Sequence, residues 1–224
     1  MEFIESTFQN LRYIVRYPNS YKDGEKYPVI IFLHGAGTRG SDINILKNNS
    51  FFAITGGFED FPFICVAPHC ESGTWFDYMP TLKALAASIA SKTWADNERI
   101  YLIGNSMGGY GTWQLAMSAP ELFAAIVPIC GGGMSWNTGT LVNVPVWAFH
   151  GADDTIVYPE ESERMVAKVI KYGGQAKLTV YPNTTHDSWT PTFKDSKVYA
   201  WLLEHKNSNA KDVLDKYKGS AIYG

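Results

Sequence analysis

Cysteine is scarce in this chain of 224 residues: only Cys65, Cys70 and Cys130 are present. An odd, small number rules out a full disulfide framework, and the spacing matches no zinc pattern. Such usage fits a reducing compartment, with one bridge, for example from Cys70, left open. Excess charge is small too. Lys and Arg number 19 against 22 Asp and Glu, a net charge of −3, which gives no electrostatic footprint for nucleic acid. No apolar run is long enough to span a bilayer. The opening residues, Met1-Glu2-Phe3-Ile4-Glu5, are acidic and lack the basic-then-apolar order of a secretory leader. The expectation is a cytoplasmic protein without a membrane partner, a secreted form staying open if a leader has been removed. Internal repeats and low-complexity tracts are missing. Neither Gly35–Gly40 nor Gly131-Gly132-Gly133 carries a phosphate-loop or dinucleotide glycine pattern. No cofactor and no metal are therefore expected.

What is present is a chain that is 46% apolar and 18% charged, enough to bury the core of one domain over 1–224. Strand-like and helix-like stretches alternate. Leu11–Tyr17 reads as an early strand and a candidate edge. Tyr27–His34 and Phe63–Ala67 are near-continuous apolar runs, as expected of strands covered on both faces. Thr81–Lys92 has helical spacing at Leu82, Leu85, Ala86, Ile89 and Ala90. Strands follow at Arg99–Ile103, Ala124–Ile129, Val144–His150 and Ala176–Tyr181, with helices over Pro159–Tyr172 and Pro191–His205. This order predicts an α/β protein with a mostly parallel, doubly wound sheet. Residues 207–224 form a polar tail, read as a short helix and a loose end.

Between the strand at Arg99–Ile103 and a helix beginning near Gly109 lies Gly104-Asn105-Ser106-Met107-Gly108. Gly-x-Ser-x-Gly in that setting is a nucleophile elbow, a turn so tight that Cβ atoms two residues either side of the serine collide. A serine hydroxyl needs a base. Of five histidines, only His186 and His205 follow a plausible acid after Ser106. His205 lies within the last helix beside Glu204 and Lys206 and reads as a solvated surface residue, which leaves His186, in a loop after a strand. The acid belongs on the loop after the preceding strand, where both Asp153 and Asp154 stand. His150, at the end of that strand, reads as packing and loop positioning. The oxyanion hole needs two backbone N–H groups. Met107 supplies one, and the small residues after His34 the other, Ala36 first and Gly37 as runner-up. Trp75 and Trp189 sit on loops at the same sheet edge and are candidate substrate-binding residues, with plain packing as the competing role. The loop over Gly35–Pro62 is long, whereas Cys130–Asn143 is too short for a large cap, so the site should be open.

These residues resemble the α/β-hydrolase superfamily, and more narrowly its small esterases of the dienelactone-hydrolase-like, phospholipase/carboxylesterase-like and prolyl-oligopeptidase-like group. The likeness runs from about Tyr27 to Leu203. Leu33-His34-Gly35-Ala36-Gly37-Thr38-Arg39-Gly40 is similar to the group's Leu-His-Gly-Ala-Gly-Glu-Arg-Gly, with Thr38 in place of Glu. Ser106-Met107-Gly108-Gly109-Tyr110-Gly111-Thr112-Trp113, Val127-Pro128-Ile129-Cys130-Gly131-Gly132-Gly133 and His186-Asp187-Ser188-Trp189 also resemble it. His150-Gly151-Ala152-Asp153-Asp154-Thr155-Ile156-Val157 is similar to His-Gly-x-x-Asp-x-x-Val, which places the acid on Asp154; Tyr158 stands where proline is usual. The resemblance implies a serine esterase with Ser106, Asp154 and His186 as triad. It also implies small-molecule or carbohydrate-linked ester substrates, including acetyl and hydroxycinnamoyl esters of plant carbohydrates. A prolyl-oligopeptidase-like peptidase is the alternative, disfavoured by the lack of a propeller-sized domain. A non-catalytic ligand-binding protein on this fold is disfavoured because every part of the site is present.

Overall fold

A computed structural model describes residues 2–210 and residue 217. Its frame is an eight-stranded sheet in the order β1-β2-β4-β3-β5-β6-β7-β8. The strands are β1 (Phe3–Phe8), β2 (Leu11–Arg16), β3 (Tyr27–Leu33), β4 (Ile64–Pro68), β5 (Ala95–Asn105), β6 (Ala125–Ile129), β7 (Val146–Gly151) and β8 (Ala176–Tyr181). From β4 across to β8 all pairings are parallel, and β1 and β2 join antiparallel. Leu11–Arg16 is thus not the edge. Phe3–Phe8 lies outside it, a strand without a fully buried residue that carries little apolar signal.

The central strands are buried on both faces, and their alternation divides the core. Val29, Ile31 and Leu33 of β3 pack with residues of helices α2 (Met79–Ala90), α3 (Met107–Ser118) and α4 (Glu160–Lys171). Ile30 and Phe32 face the other way, onto α1 (Ser50–Thr55), α5 (Trp189–Lys194) and α6 (Ser196–Leu203). Full burial of one such side chain contributes about 1.5–3 kcal/mol.

Two further expectations need correction. The final helix is two. Asp195 has φ −81° and ψ 103°, outside the helical region, and its carboxylate caps α6 by accepting the Lys197 N–H. The long loop after β3 is largely ordered turns, with 3₁₀ segments at Ala36–Thr38 and Ile43–Asn48 before α1. Cys65, Cys70 and Cys130 are all buried free thiols, in line with the reducing reading, and the bridge left open from Cys70 is not formed. Of the polar tail, Asn207 is tied to the body through the Glu98 and Glu121 carbonyls, and Tyr217 donates to Glu121 Oε1 at 2.7 Å. Residues 211–216 and 218–224, where most of the expected short helix and loose end would fall, lie outside the described residues. Among the described residues, no helix is long and apolar enough to cross a membrane.

Candidate active site

Three loops at the carboxyl edge of the parallel strands converge on Ser106. The serine links β5 to α3 with φ 55° and ψ −119°, a left-handed conformation costly for any side chain. Its surroundings hold it there. The N–H of Ser106 donates to the Ile129 carbonyl at 2.9 Å, and its own carbonyl accepts from Tyr110 at 3.1 Å. A Cβ at Gly104 would sit 2.3 Å from the Gly108 oxygen, and one at Gly108 would sit 1.8 Å from the Leu33 oxygen. The elbow therefore packs backbone on backbone against the end of β3.

His186, on the loop after β8, places Nε2 2.8 Å from Ser106 Oγ. Its Nδ1 lies 2.7 Å from Asp154 Oδ2, so the carboxylate accepts Nδ1–H and leaves Nε2 able to take the serine proton. Asp154 is buried, and its Oδ1 accepts the Ile156 and Val157 amides at 2.9 and 3.0 Å. Burial opposes its ionisation, but the bonds from His186, Val157 and Ile156 outweigh burial and hold the carboxyl below its usual range. Asp153 is exposed, with its amide on the Thr184 carbonyl. His205 is half-buried, with its ring edge-on against Trp201 and Nε2 without a hydrogen-bond partner among the described residues.

The loop after β3 is held by its carbonyls. His34 O accepts Trp75 Nε1–H at 2.9 Å, Gly35 O accepts His34 Nδ1–H at 2.8 Å, and Ala36 O accepts Arg39 Nε–H at 3.1 Å. Thr38 O accepts His69 Nε2–H at 3.3 Å, and Thr38 Oγ1 accepts from Asn49 at 3.0 Å. These bonds fix the loop while the Ala36 and Gly37 amides find no acceptor among the described residues. At the start of α3, the Met107 amide likewise has no intrahelical acceptor. The expectation that Trp75 lines the site fails: it is fully buried and pinned beneath the loop by its indole N–H. Its place is structural because Gly111 leaves room for the ring, with a Cβ there only 2.9 Å from the Trp75 side chain. His34, which sequence reasoning passed over, is the second anchor. Its Nε2 accepts the Cys70 amide at 3.0 Å, and burial is the chief cause that lowers it to about 4.

A cavity of about 430 Å³ opens over Ser106, lined by Ala36, Gly37, His186 and Trp189 among others. Trp189 stands edge-on to the His186 ring, with centroids 5.3 Å apart. Thr38, Asn49, Ser50 and Asn105 give the cavity a polar wall, and Ile156 adds an apolar one. None of these was singled out from the sequence; their position on loops leaving β3, β5 and β7 was the available signal. Between β6 and β7 only a 3₁₀ segment, Ser135–Leu141, intervenes, so no large cap is inserted at that point. Ligand-type atoms of Cys130, Asp154 and His186 lie within 4.8 Å of one another. Burial pushes the Cys130 thiol up to about 12, and the other two are engaged with each other, so the set suits proton transfer better than an ion.

The family model for the dienelactone hydrolase family matches residues 76–215. A Salmonella typhimurium protein named as a carboxymethylenebutenolidase is 31% identical over 109 residues, 45% of this chain and 40% of that relative. An Aspergillus clavatus protein named feruloyl esterase C is 22% identical over 191 residues, 81% of this chain and 69% of the relative. The crystal structure of a thermostable esterase superposes with a TM-score of 0.79 and 30% identity over 91% of this chain and 63% of that chain. This chain thus spans well under the full length of two of the three.

Proposed function

The chain belongs to the dienelactone hydrolase family, and on that footing we propose that it is a serine carboxylic-ester hydrolase acting through an acyl-Ser106 intermediate. One observation carries the reading: the unbroken hydrogen-bonded line from Ser106 Oγ through His186 to Asp154, at 2.8 and 2.7 Å, beside amides that lack acceptors.

The reaction follows from those positions. An ester carbonyl placed over Ser106 is attacked by Oγ as its proton passes to His186 Nε2. The oxyanion that forms takes N–H bonds from Met107 and from Ala36, with Gly37 next in line. Collapse expels the alcohol, which leaves with the proton from Nε2. Water then enters, gives a proton to the same nitrogen and attacks the acyl carbonyl, and Ser106 leaves reprotonated. Asp154 fixes the ring tautomer throughout and stabilises the imidazolium.

The substrates proposed are acetyl or hydroxycinnamoyl esters of carbohydrates. Support comes from the cavity, whose polar wall of Thr38, Asn49 and Ser50 suits a hydroxylated alcohol while Ile156 and Trp189 suit an acyl group. The name of the Aspergillus relative agrees. Purified protein should hydrolyse p-nitrophenyl acetate and label with a fluorophosphonate, and Ser106→Ala should do neither while keeping its circular dichroism spectrum. Turnover by the Ser106→Ala protein at the wild-type rate refutes the assignment. Methyl ferulate and acetylated xylan, compared by kcat/KM, then separate the two acyl classes.

A further inference from the structure

Arg39 ends the turn that carries the candidate oxyanion amides, and its side chain is spent on backbone. Nε donates to the Ala36 carbonyl at 3.1 Å and Nη1 to the Gly73 carbonyl at 3.0 Å. The acids on the facing loop are engaged elsewhere. Glu71 pairs with Arg12, and Asp77 Oδ2 accepts Thr74 N–H at 2.8 Å and its hydroxyl at 3.1 Å. The Gly73 carbonyl is a fixed post. Gly73 has φ 67°, which suits glycine, and a Cβ there would lie 2.5 Å from Asp77 Oδ2. Beside it the Gly40 amide donates to the Glu71 carbonyl at 2.9 Å, joining the same two loops.

A planar trans peptide points its C=O and its N–H in opposite directions. A donor that grips a carbonyl therefore aims the amide of the next residue. Gly35 O is gripped by His34 Nδ1–H at 2.8 Å and by the Thr38 amide at 3.1 Å, which turns the Ala36 amide away from both. Ala36 O is gripped by the Arg39 amide at 3.2 Å and by Arg39 Nε–H, which turns the Gly37 amide away from that side chain. Neither amide has an acceptor among the described residues, and Ala36 and Gly37 both line the cavity over Ser106.

We propose that Arg39 is a positioning residue for the oxyanion hole: by tying the Ala36–Gly37 peptide to Gly73, it aims the Gly37 amide into the same space as the Ala36 amide. The proposal rests on the reading of Ser106 and its oxyanion donors given above. A single 3₁₀ bond holds a peptide plane loosely. A planar guanidinium bound to two carbonyls holds it firmly, and an ammonium on a flexible stem does not.

Arg39 is exposed, so its variants should keep the wild-type circular dichroism spectrum. Arg39→Ala should lower kcat on p-nitrophenyl acetate about tenfold, with KM within about twofold, because a misaimed donor forfeits part of the roughly 10²–10³-fold that such a group supplies. An aryl trifluoromethyl ketone reads the hole directly. Ser106 Oγ adds to its carbonyl carbon, the hydroxyl proton passes to His186, and the former carbonyl oxygen becomes the oxyanion. Its inhibition constant should rise by the factor that kcat/KM falls. Guanidinium ion below denaturing concentration should restore kcat to Arg39→Ala, whereas Arg39→Lys, which keeps the charge without the fork, should stay impaired. An Arg39→Ala protein with kcat within about twofold of wild type, an unchanged ketone inhibition constant, or full activity in Arg39→Lys overturns the proposal. Ala36→Pro tests the reading beneath it. Gly35 is extended, with φ −76° and ψ 169°, so proline fits after it and removes the Ala36 N–H. Full activity in Ala36→Pro refutes the oxyanion assignment, while loss there with Arg39→Ala unaffected refutes the role of Arg39 alone.

Discussion

Acidification should destabilise this protein through one ring that never touches substrate. His34 is fully buried, with Nδ1–H on the Gly35 carbonyl at 2.8 Å and Nε2 accepting the Cys70 amide at 3.0 Å. Burial is the largest cause that lowers it from 6.5 to about 4; the bond to Gly35 opposes this, and the nearby charges of His69 and Arg39 add to the lowering. In the unfolded chain the ring returns to its ordinary value. Between those two values the unfolded state binds a proton that the folded state refuses. The His34 contribution is therefore fully present above about pH 6.5 and lost as pH falls to about 4. A gap of about 2.5 units at 1.36 kcal/mol each amounts to about 3 kcal/mol. Urea unfolding of His69→Gln and of the double variant His34→Gln/His69→Gln, repeated at steps across this window, isolates the effect. His205, also lowered by burial, is common to both proteins and cancels, while His69, whose charge acts on His34, is held as Gln in both. The protein that keeps His34 should start more stable, and the difference should shrink by about 3 kcal/mol toward pH 4. A difference that stays constant across the window refutes a neutral, buried His34.

Other expectations concern single side chains. Asp154→Asn should lower kcat on p-nitrophenyl acetate by about 10³–10⁴-fold, because an amide supports neither the tautomer nor the imidazolium, whereas exposed Asp153→Asn should stay within about twofold. Trp75→Phe removes the only indole donor to the His34 carbonyl and should cost about 1–3 kcal/mol in denaturant unfolding with little change in KM. Trp189→Ala should do the reverse, raising KM for aryl esters by about tenfold. Gly108→Ala drives a Cβ to 1.8 Å from the Leu33 oxygen, so a loss above about 4 kcal/mol is expected, seen as a large drop in Tm.

The fold was legible where apolar runs are continuous. Strands β3, β4 and β6 fall within a residue or two of their sequence-based limits because both faces are covered and nearly every side chain is buried; β8, at the sheet edge, shows its limits through alternation instead. Phe3–Phe8 escaped because an edge strand with Glu5 and Thr7 in water has no such run. The break at Asp195 was hidden by helical spacing on both sides, although an aspartate two residues before Lys197 is a capping signal. At the site, Ser106, His186 and Asp154 stand in motifs with fixed spacing, and the fold brings them into one hydrogen-bonded line. The anchors of the loop after β3 were not legible. His34 meets Cys70 from 36 residues away and Trp75 meets His34 from 41, and no local pattern tells an indole that supports a loop from one that faces a ligand.

Ser106 and His186 are 80 residues apart in sequence, and His186 and Asp154 are 32. Each sits on a different crossover, so no fragment of the chain holds a working set, and loop closure must be complete before the serine meets its base. Reactivity of Ser106 is therefore a clock for the last stage of assembly. Under the proposed function, partly folded chains with an unfinished sheet should lack esterase activity until the loop after β8 brings His186 to Ser106.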